Sequence, residues 1–195
     1  MKPELGGIIL SGGEGRRFGG RNKGLIELHG RPFIQHILEK LQPHLDMILI
    51  SANRDMERYR SFGYPVCPDQ DEWQGLGPLA GLASCFSLLP DHLDAVLVVP
   101  CDTPLLPDDL IPALAEKLFE KPENQIAYAV SEESIHPSIF LARFALFADL
   151  PGHLAEGKRS LKSWIFRYET VAFFFEDANA FTNINDDTIL KGLCP

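Results

Sequence analysis

The residues from Ser11 to Gly24 carry the strongest chemical signal in the chain. Glycines recur at Gly12, Gly13, Gly15, Gly19, Gly20 and Gly24, interleaved with Arg16, Arg17, Arg21 and Lys23, and Glu14 is the only acid among them. The segment therefore carries a net +3 inside a chain whose formal net charge is −9. Glycines let backbone N–H groups approach a ligand closely, and the cations supply a field for an anion. A polyphosphate is the guest that suits both. The segment follows the apolar run Gly7–Leu10, and an open α/β sheet binds its ligand outside the carboxyl ends of its strands. Two familiar phosphate patterns do not fit. The dinucleotide fingerprint needs Gly where Phe18 stands after Gly13-x-Gly15, and the P-loop needs Ser or Thr after Gly-Lys, where this chain has Asn22-Lys23-Gly24. A solvated loop with incidental arginines is the plainer alternative, and the local charge reversal favours phosphate binding over it.

Further along, Asp102 follows the apolar run Ala95–Val99 and so falls at the carboxyl end of a strand. Magnesium takes one or two carboxylates together with substrate phosphates and water, so a single Asp there is enough to anchor it. A cap on the turn before Pro104 is the competing role. Asp69, after Pro68, reads on its own as a turn residue. Gly77–Gly81 opens a helix carrying Leu82 and Phe86, which would aim main-chain amides at a base or phosphate. Asn183 and Asn185 lie two apart, so in an extended segment both amides point to one side; a turn-rich stretch weighs equally. Lys158-Arg159 adds positive charge for an acceptor phosphate or is simply solvated. His136-Pro137 reads as a loop feature with no assigned chemistry. Cys67, Cys85, Cys101 and Cys194 form no C-x-x-C pair, which argues for reduced thiols rather than a zinc or redox motif; Cys101 reads as a small buried residue.

These residues need a scaffold. Gly7–Leu10, Met47–Ile50 and Ala95–Val99 are continuous apolar runs, the pattern of parallel strands covered on both faces. Between them lie helical stripes: Phe33, Ile34, Ile37, Leu38 and Leu41 after Pro32; then Leu79, Leu82, Ala83, Phe86 and Leu89; then Leu110, Ile111, Leu114 and Leu118 behind Asp108 and Asp109. Pro112 is tolerable only within the first turn of the third helix. The alternation predicts an α/β fold: one domain over residues 1–195, a doubly wound, mostly parallel Rossmann-like sheet. Its nucleotide-binding part spans about residues 1–120 and its acceptor-binding part about 121–195. In the second part Ile126–Val130, Ser138–Leu141 and Val171–Phe175 read as strands, and 143–150 and 160–168 as short helices. The chain has 195 residues, 45% hydrophobic and 23% charged, which fits one packed domain and excludes disorder. The acidic balance argues against nucleic acid as a partner. No apolar run spans a bilayer and the first residues lack a secretory h-region, so a cytoplasmic location is expected.

The segment Leu10-Ser11-Gly12-Gly13 through Lys23 resembles the signature of nucleotidyltransferases of the Rossmann-like nucleoside-triphosphate transferase superfamily, roughly L-x-G-G-x-x-x-R-M-G-x-x-K. Ala52-Asn53-Arg54, Gly77-Pro78-Leu79-Ala80-Gly81, Pro100-Cys101-Asp102-Thr103-Pro104, His136-Pro137 and Asn183-Ile184-Asn185 follow in the matching order, so the resemblance covers almost the whole chain. Within the superfamily it is similar to the molybdenum cofactor guanylyltransferases, which join the GMP part of GTP to molybdopterin. The resemblance implies that Lys23, supported by Arg17, binds phosphate. It implies that Leu10, Ser11, Gly12 and Gly13 line the nucleotide through the main chain, with Ser51, Asp69, Gly77, Pro78 and Leu79 completing that site. Asp102 becomes the ligand of Mg²⁺, and Asn183 and Asn185, with Lys158 and Arg159, face molybdopterin. The Gly-Gly start points to GTP, whereas cytidylyl relatives tend to carry Ala-Ala-Gly.

Three departures bear on base choice: Asn22 stands where the family commonly has Asp, Ser51 where it has Asn, and Phe18 where it has Met. The expected activity is Mg²⁺-dependent GMP transfer, carried by Lys23, Arg17 and Asp102. The alternatives are a relative using CTP or a sugar-phosphate acceptor, and a non-catalytic adaptor that binds nucleotide and molybdopterin. Expected partners are GTP, molybdopterin and molybdoenzyme maturation proteins, with the chain a monomer or weak homo-oligomer.

Overall fold

The computed structural model describes residues 2–12, 20–132, 134–185 and 187–193. Nine strands and seven helices are described. The first half holds β1 (Leu5–Leu10), β2 (Glu27–Leu28), β3 (Arg31–Pro32), α1 (Phe33–Leu41), β4 (Met47–Ser51), α2 (Met56–Arg60), β5 (Val66–Cys67), α3 (Pro78–Phe86) and β6 (Ala95–Pro100). The second half holds α4 (Leu110–Glu120), β7 (Ile126–Val130), β8 (Ile135–Arg143), α5 (Leu150–Ala155), α6 (Leu161–Ile165), β9 (Thr170–Phe174) and α7 (Asp187–Leu193). Seven strands form one sheet in the order β5-β4-β1-β6-β8-β7-β9. All its neighbours pair in parallel except β8, which runs antiparallel to both β6 and β7. The sheet is the doubly wound, mostly parallel one that the sequence predicts.

The side-chain alternation of the central strands builds two core layers. Leu5 and Ile9 of β1, Ala95, Leu97 and Val99 of β6, and Ile139 and Leu141 of β8 face α1 and α4. Ile8 and Leu10, Val96 and Val98, and Phe140 and Ala142 face α3, α5 and α6. Burial on both faces is why these strands read as unbroken apolar runs. Pro112 lies in the first turn of α4, where its missing N–H leaves no internal helical bond unmade.

From β1 the chain winds outward through β4 to β5, and then returns to place β6 on the other side of β1. The order reverses between β1 and β6, and the carboxyl ends of two strands that diverge in this way leave a crevice. Leu10 pairs with Pro100 at that end of the ladder, so Ser11 and Cys101-Asp102 emerge side by side.

Three local features differ from expectation. His29 (φ 51) and Gly30 (φ 75) form a two-residue turn joining β2 to β3, a hairpin too short to show a period. His136-Pro137 is part of strand β8 and not a loop. The β7–β8 register jumps between Tyr128 and Ala129, from a Phe140 partner to a His136 partner, and the bulge accommodates Pro137, which cannot donate to a ladder. Residues 144–149 are a 3-10 helix that runs into α5.

Candidate active site

The crevice gathers residues from four distant stretches of chain. Asn22 ends the approach to a short 3-10 turn, Lys23–Leu25, closed by Leu25 N–H to the Asn22 carbonyl (3.1 Å) and Ile26 N–H to the Lys23 carbonyl (3.1 Å). The turn projects Lys23 toward the end of β6, where Lys23 Nζ lies 2.9 Å from Asp102 Oδ2. Lys23 Nζ also donates to Asn185 Oδ1 at 2.6 Å, across 162 positions of sequence. The Lys23 and Asp102 side chains are 25% and 14% exposed, so the pair is shielded but reachable. An ammonium has three donors, which leaves one for a phosphate oxygen.

The Asn183-Ile184-Asn185 segment is fixed against the same strand end. Ile184 N–H donates to the Asp102 carbonyl (2.9 Å), and the hydroxyl of fully buried Thr103 donates to Asn183 Oδ1 (3.0 Å). Both asparagines thus turn to the β6 end, as their spacing predicts. Burial, and then the Asp102 charge, push the Cys101 thiol up to about 12. It is a neutral packing group and no nucleophile.

Two cavities open on either side of the β1 end and share Leu10, Ser11, Gly12 and Pro78. The first, about 370 Å³, is closed by Ser51, Asn53, Arg54, Asp69, Gly75, Gly77 and Gly81. The second, about 240 Å³, is closed by Lys23, Pro100, Cys101, Asp102, Ser138 and Leu161. In the first, Asn53 and Asp69 brace each other: Asn53 Nδ2 donates to Asp69 Oδ2 (2.9 Å), and the Asp69 main-chain N–H donates to Asn53 Oδ1 (2.7 Å). Burial raises the Asp69 carboxyl above its ordinary value, and the Asn53 amide opposes that shift. Its second oxygen is left for a ligand with paired donors.

Ser51 and Gly81 meet closely enough that a Cβ on Gly81 would lie 2.3 Å from Ser51 Oγ. Only glycine lets α3 approach β4 this way. Gly77 precedes α3 at φ 86, ψ −163, a conformation essentially confined to glycine.

Other expected site residues fall differently. Leu79 is fully buried in the core, so its side chain does not line either cavity. Lys158 is exposed and paired with Glu156 at 2.6 Å, and neither it nor Arg159 lines either of these two cavities. Gly13 and Arg17 lie outside the described residues. Asn53, Arg54, Ser138 and Leu161 line the crevice without having been singled out for the site. Asn53 and Arg54 were visible in the Ala-Asn-Arg run after the second strand, whereas nothing local marks Ser138 or Leu161.

The donor set suits one kind of metal. Among the described residues no group of three or more His, Cys, Asp or Glu side chains converges. A single carboxylate beside a lysine and an open cavity fits a cation carried mainly by substrate phosphates, and does not fit an all-protein cage.

Residues 7–171 match the family model of the MobA-like NTP transferase domain. The chain is 40% identical over 188 residues to a protein from Shewanella halifaxensis named molybdenum cofactor guanylyltransferase, covering 95% of this chain and 91% of that one. It is 38% identical over 186 residues to the protein of the same name from Shewanella loihica, covering 95% and 93%. Among solved structures, molybdopterin-guanine dinucleotide biosynthesis protein A from Archaeoglobus fulgidus superposes with a TM-score of 0.74 at 20% identity, over 96% of both chains. At that identity the likeness speaks for the fold.

Proposed function

The chain belongs to the MobA-like NTP transferase family, and we propose that it transfers GMP from GTP to the phosphate of molybdopterin, a reading in keeping with relatives named molybdenum cofactor guanylyltransferase. The observation that carries the reading is the meeting of Lys23 with Asp102 at 2.9 Å, at the reversal of strand order, in the wall of the smaller of two confluent cavities. The ion pair also contributes to folding, but it stands on the wall of an open crevice, where a cation and a carboxylate can both serve a bound triphosphate.

In this reading guanine occupies the first cavity. The Asp69 carboxylate accepts from the adjacent N1–H and N2 amine of guanine. Cytosine offers only its N4 amine as a donor beside a repelling N3 lone pair, so the arrangement favours GTP. The main chain at Leu10–Gly12 tracks the ribose and phosphates. Lys23 neutralises charge on the β- and γ-phosphates as it accumulates on departing pyrophosphate. Asn183 and Asn185 orient the acceptor phosphate. An oxygen of that phosphate attacks the α-phosphorus, the bond from the α-phosphorus to the bridging oxygen breaks, and pyrophosphate leaves with the electron pair. The acceptor oxygen is already anionic, so no strong general base is needed.

Asp102 would hold a magnesium ion, which supplies Lewis-acid polarisation of the phosphoryl oxygens. Arg17 is assigned a supporting role by the family signature alone.

Incubating the protein with molybdopterin, Mg²⁺ and each nucleoside triphosphate tests the reading. Pyrophosphate and a molybdopterin dinucleotide are expected with GTP and much less of either with CTP. Equal turnover with CTP would remove the base assignment. Tight GTP binding with no pyrophosphate would favour the adaptor.

A further inference from the structure

A phenol lies beneath the Lys23 turn. Tyr59 of α2 is fully buried, and its hydroxyl donates to Asn22 Oδ1 at 2.6 Å. Asn22 is itself 7% exposed, and its amide nitrogen reaches back to the Arg54 carbonyl and Asp55 Oδ2, both at 3.4 Å. On the far side of the lysine, a Cβ on Gly24 would lie 2.5 Å from Tyr59 Oη and 3.3 Å from Cys101 Cβ. One hydroxyl therefore meets the residues on both sides of Lys23. Ser11 Oγ, just past the end of β1, is also buried and among the described residues makes no bond of hydrogen-bond geometry, though it is near enough to Tyr59 to offset part of the effect of burial on the phenol.

Packing alone does not ask for this oxygen. The ring belongs to the apolar layer under α1 and α4, where phenylalanine would fill the same volume without burying a hydroxyl. Burying an O–H is costly unless it is bonded, so its use must lie in the bond it makes. That bond fixes Asn22, the residue whose carbonyl opens the 3-10 turn that presents Lys23. The lysine stem has four rotatable carbons, and the placement of its ammonium depends on how rigidly the turn beneath it is held.

We propose that Tyr59 is a positioning residue for Lys23, acting through its hydroxyl bond to Asn22. The proposal rests on the nucleotidyl-transfer reading for its catalytic consequence. A misplacement of about 1 Å in a charge-stabilising group costs up to about a hundredfold in rate. Here Asn185 and Asp102 still hold the ammonium, so a loss of about tenfold is expected.

The experiment compares Tyr59→Phe, Asn22→Ala and the double variant. Readouts are kcat and KM for GTP in pyrophosphate release, Tm, and hydrogen exchange of the peptide spanning residues 20–28. Tyr59→Phe should lower kcat about tenfold with KM changed less than about twofold, since the interaction lost matters in the transition state. Exchange at the Leu25 and Ile26 amides should speed up by a similar factor. The double variant should be no slower than the slower single. Unchanged kcat, additive losses or unchanged exchange in Tyr59→Phe would each overturn the proposal. A wild-type protein without transferase activity would instead refute the transfer reading, and the exchange measurement would still decide whether the phenol holds the turn.

Discussion

Replacing Asp102 with Asn separates a structural ion pair from a catalytic one. The change keeps shape and hydrogen-bonding capacity but removes the charge that faces Lys23 Nζ at 2.9 Å. At that distance, with an effective dielectric constant of about 20, Coulomb attraction is about 6 kcal/mol before the cost of desolvating the pair. Exposed pairs give about 0–1 kcal/mol net, and breaking buried ones costs about 3–5 kcal/mol. Lys23 and Asp102 are 25% and 14% exposed and Asn185 keeps one bond to the ammonium, so about 1–2 kcal/mol of folding stability is expected to go. For a domain of this size that lowers Tm by about 2–8 °C.

Turnover should fall far more. If Asp102 anchors the metal as proposed, losing that carboxylate and the fixed lysine together should cost at least about a thousandfold, or about 4 kcal/mol of barrier. Pyrophosphate release measured at a temperature where thermal scans show both proteins folded reads the second effect without the first. An Asp102→Asn variant that keeps more than a tenth of wild-type turnover would refute the reasoning. So would an activity loss that tracks only the unfolded fraction.

Asp69→Asn should raise KM for GTP about tenfold and shrink the preference for GTP over CTP, since a bidentate base contact is worth about 1–3 kcal/mol; competition kinetics between the two nucleotides would show it. Gly77→Ala should destabilise by about 1–3 kcal/mol in urea unfolding, because its backbone lies in a region closed to other residues while its Cβ would meet only the Arg159 carbonyl, at 3.8 Å. Acidification should weaken the fold. Burial, and then the Arg167 cation, hold the His153 imidazole below its ordinary 6.5, and Arg167 donates to its Nδ1 at 2.7 Å, which requires a free lone pair there. The unfolded chain then binds the proton more readily, so this stability is fully present above about pH 6.5 and is lost as pH falls through the lower folded value. Urea midpoints between pH 7.5 and 5 should decline, and His153→Gln should flatten part of that slope.

The parts of the fold that could be read from sequence are those with local causes. Strands covered on both faces show as unbroken apolar runs, and Asp102 directly after one of them had to stand at a strand end. Lys23 was marked by glycines and by the reversal of charge around it. A period of two would put Asn183 and Asn185 on one side only if the segment were extended, and a turn-rich stretch weighs equally without the bonds to Thr103 and Lys23. Other features depend on distant partners. The reach from Lys23 to Asn185 spans 162 positions, and no short-range pattern encodes it. Lys158-Arg159 carried charge but no directional cue, and Glu156, two residues away, takes the lysine. His136-Pro137 resembled a loop because Pro breaks a ladder, and the β7–β8 bulge that lets it stay in a strand is a property of two strands together. Tyr59 stood in a run of polar residues whose five-residue helix is too short to show a period.

The most direct test of the account is a crystal structure with Mg²⁺ and a non-hydrolysable GTP analogue. The guanine should lie against Asp69 and Asn53, the metal on Asp102, and the terminal phosphates within reach of Lys23 Nζ. A nucleotide bound away from the crevice between the β1 and β6 ends would contradict it.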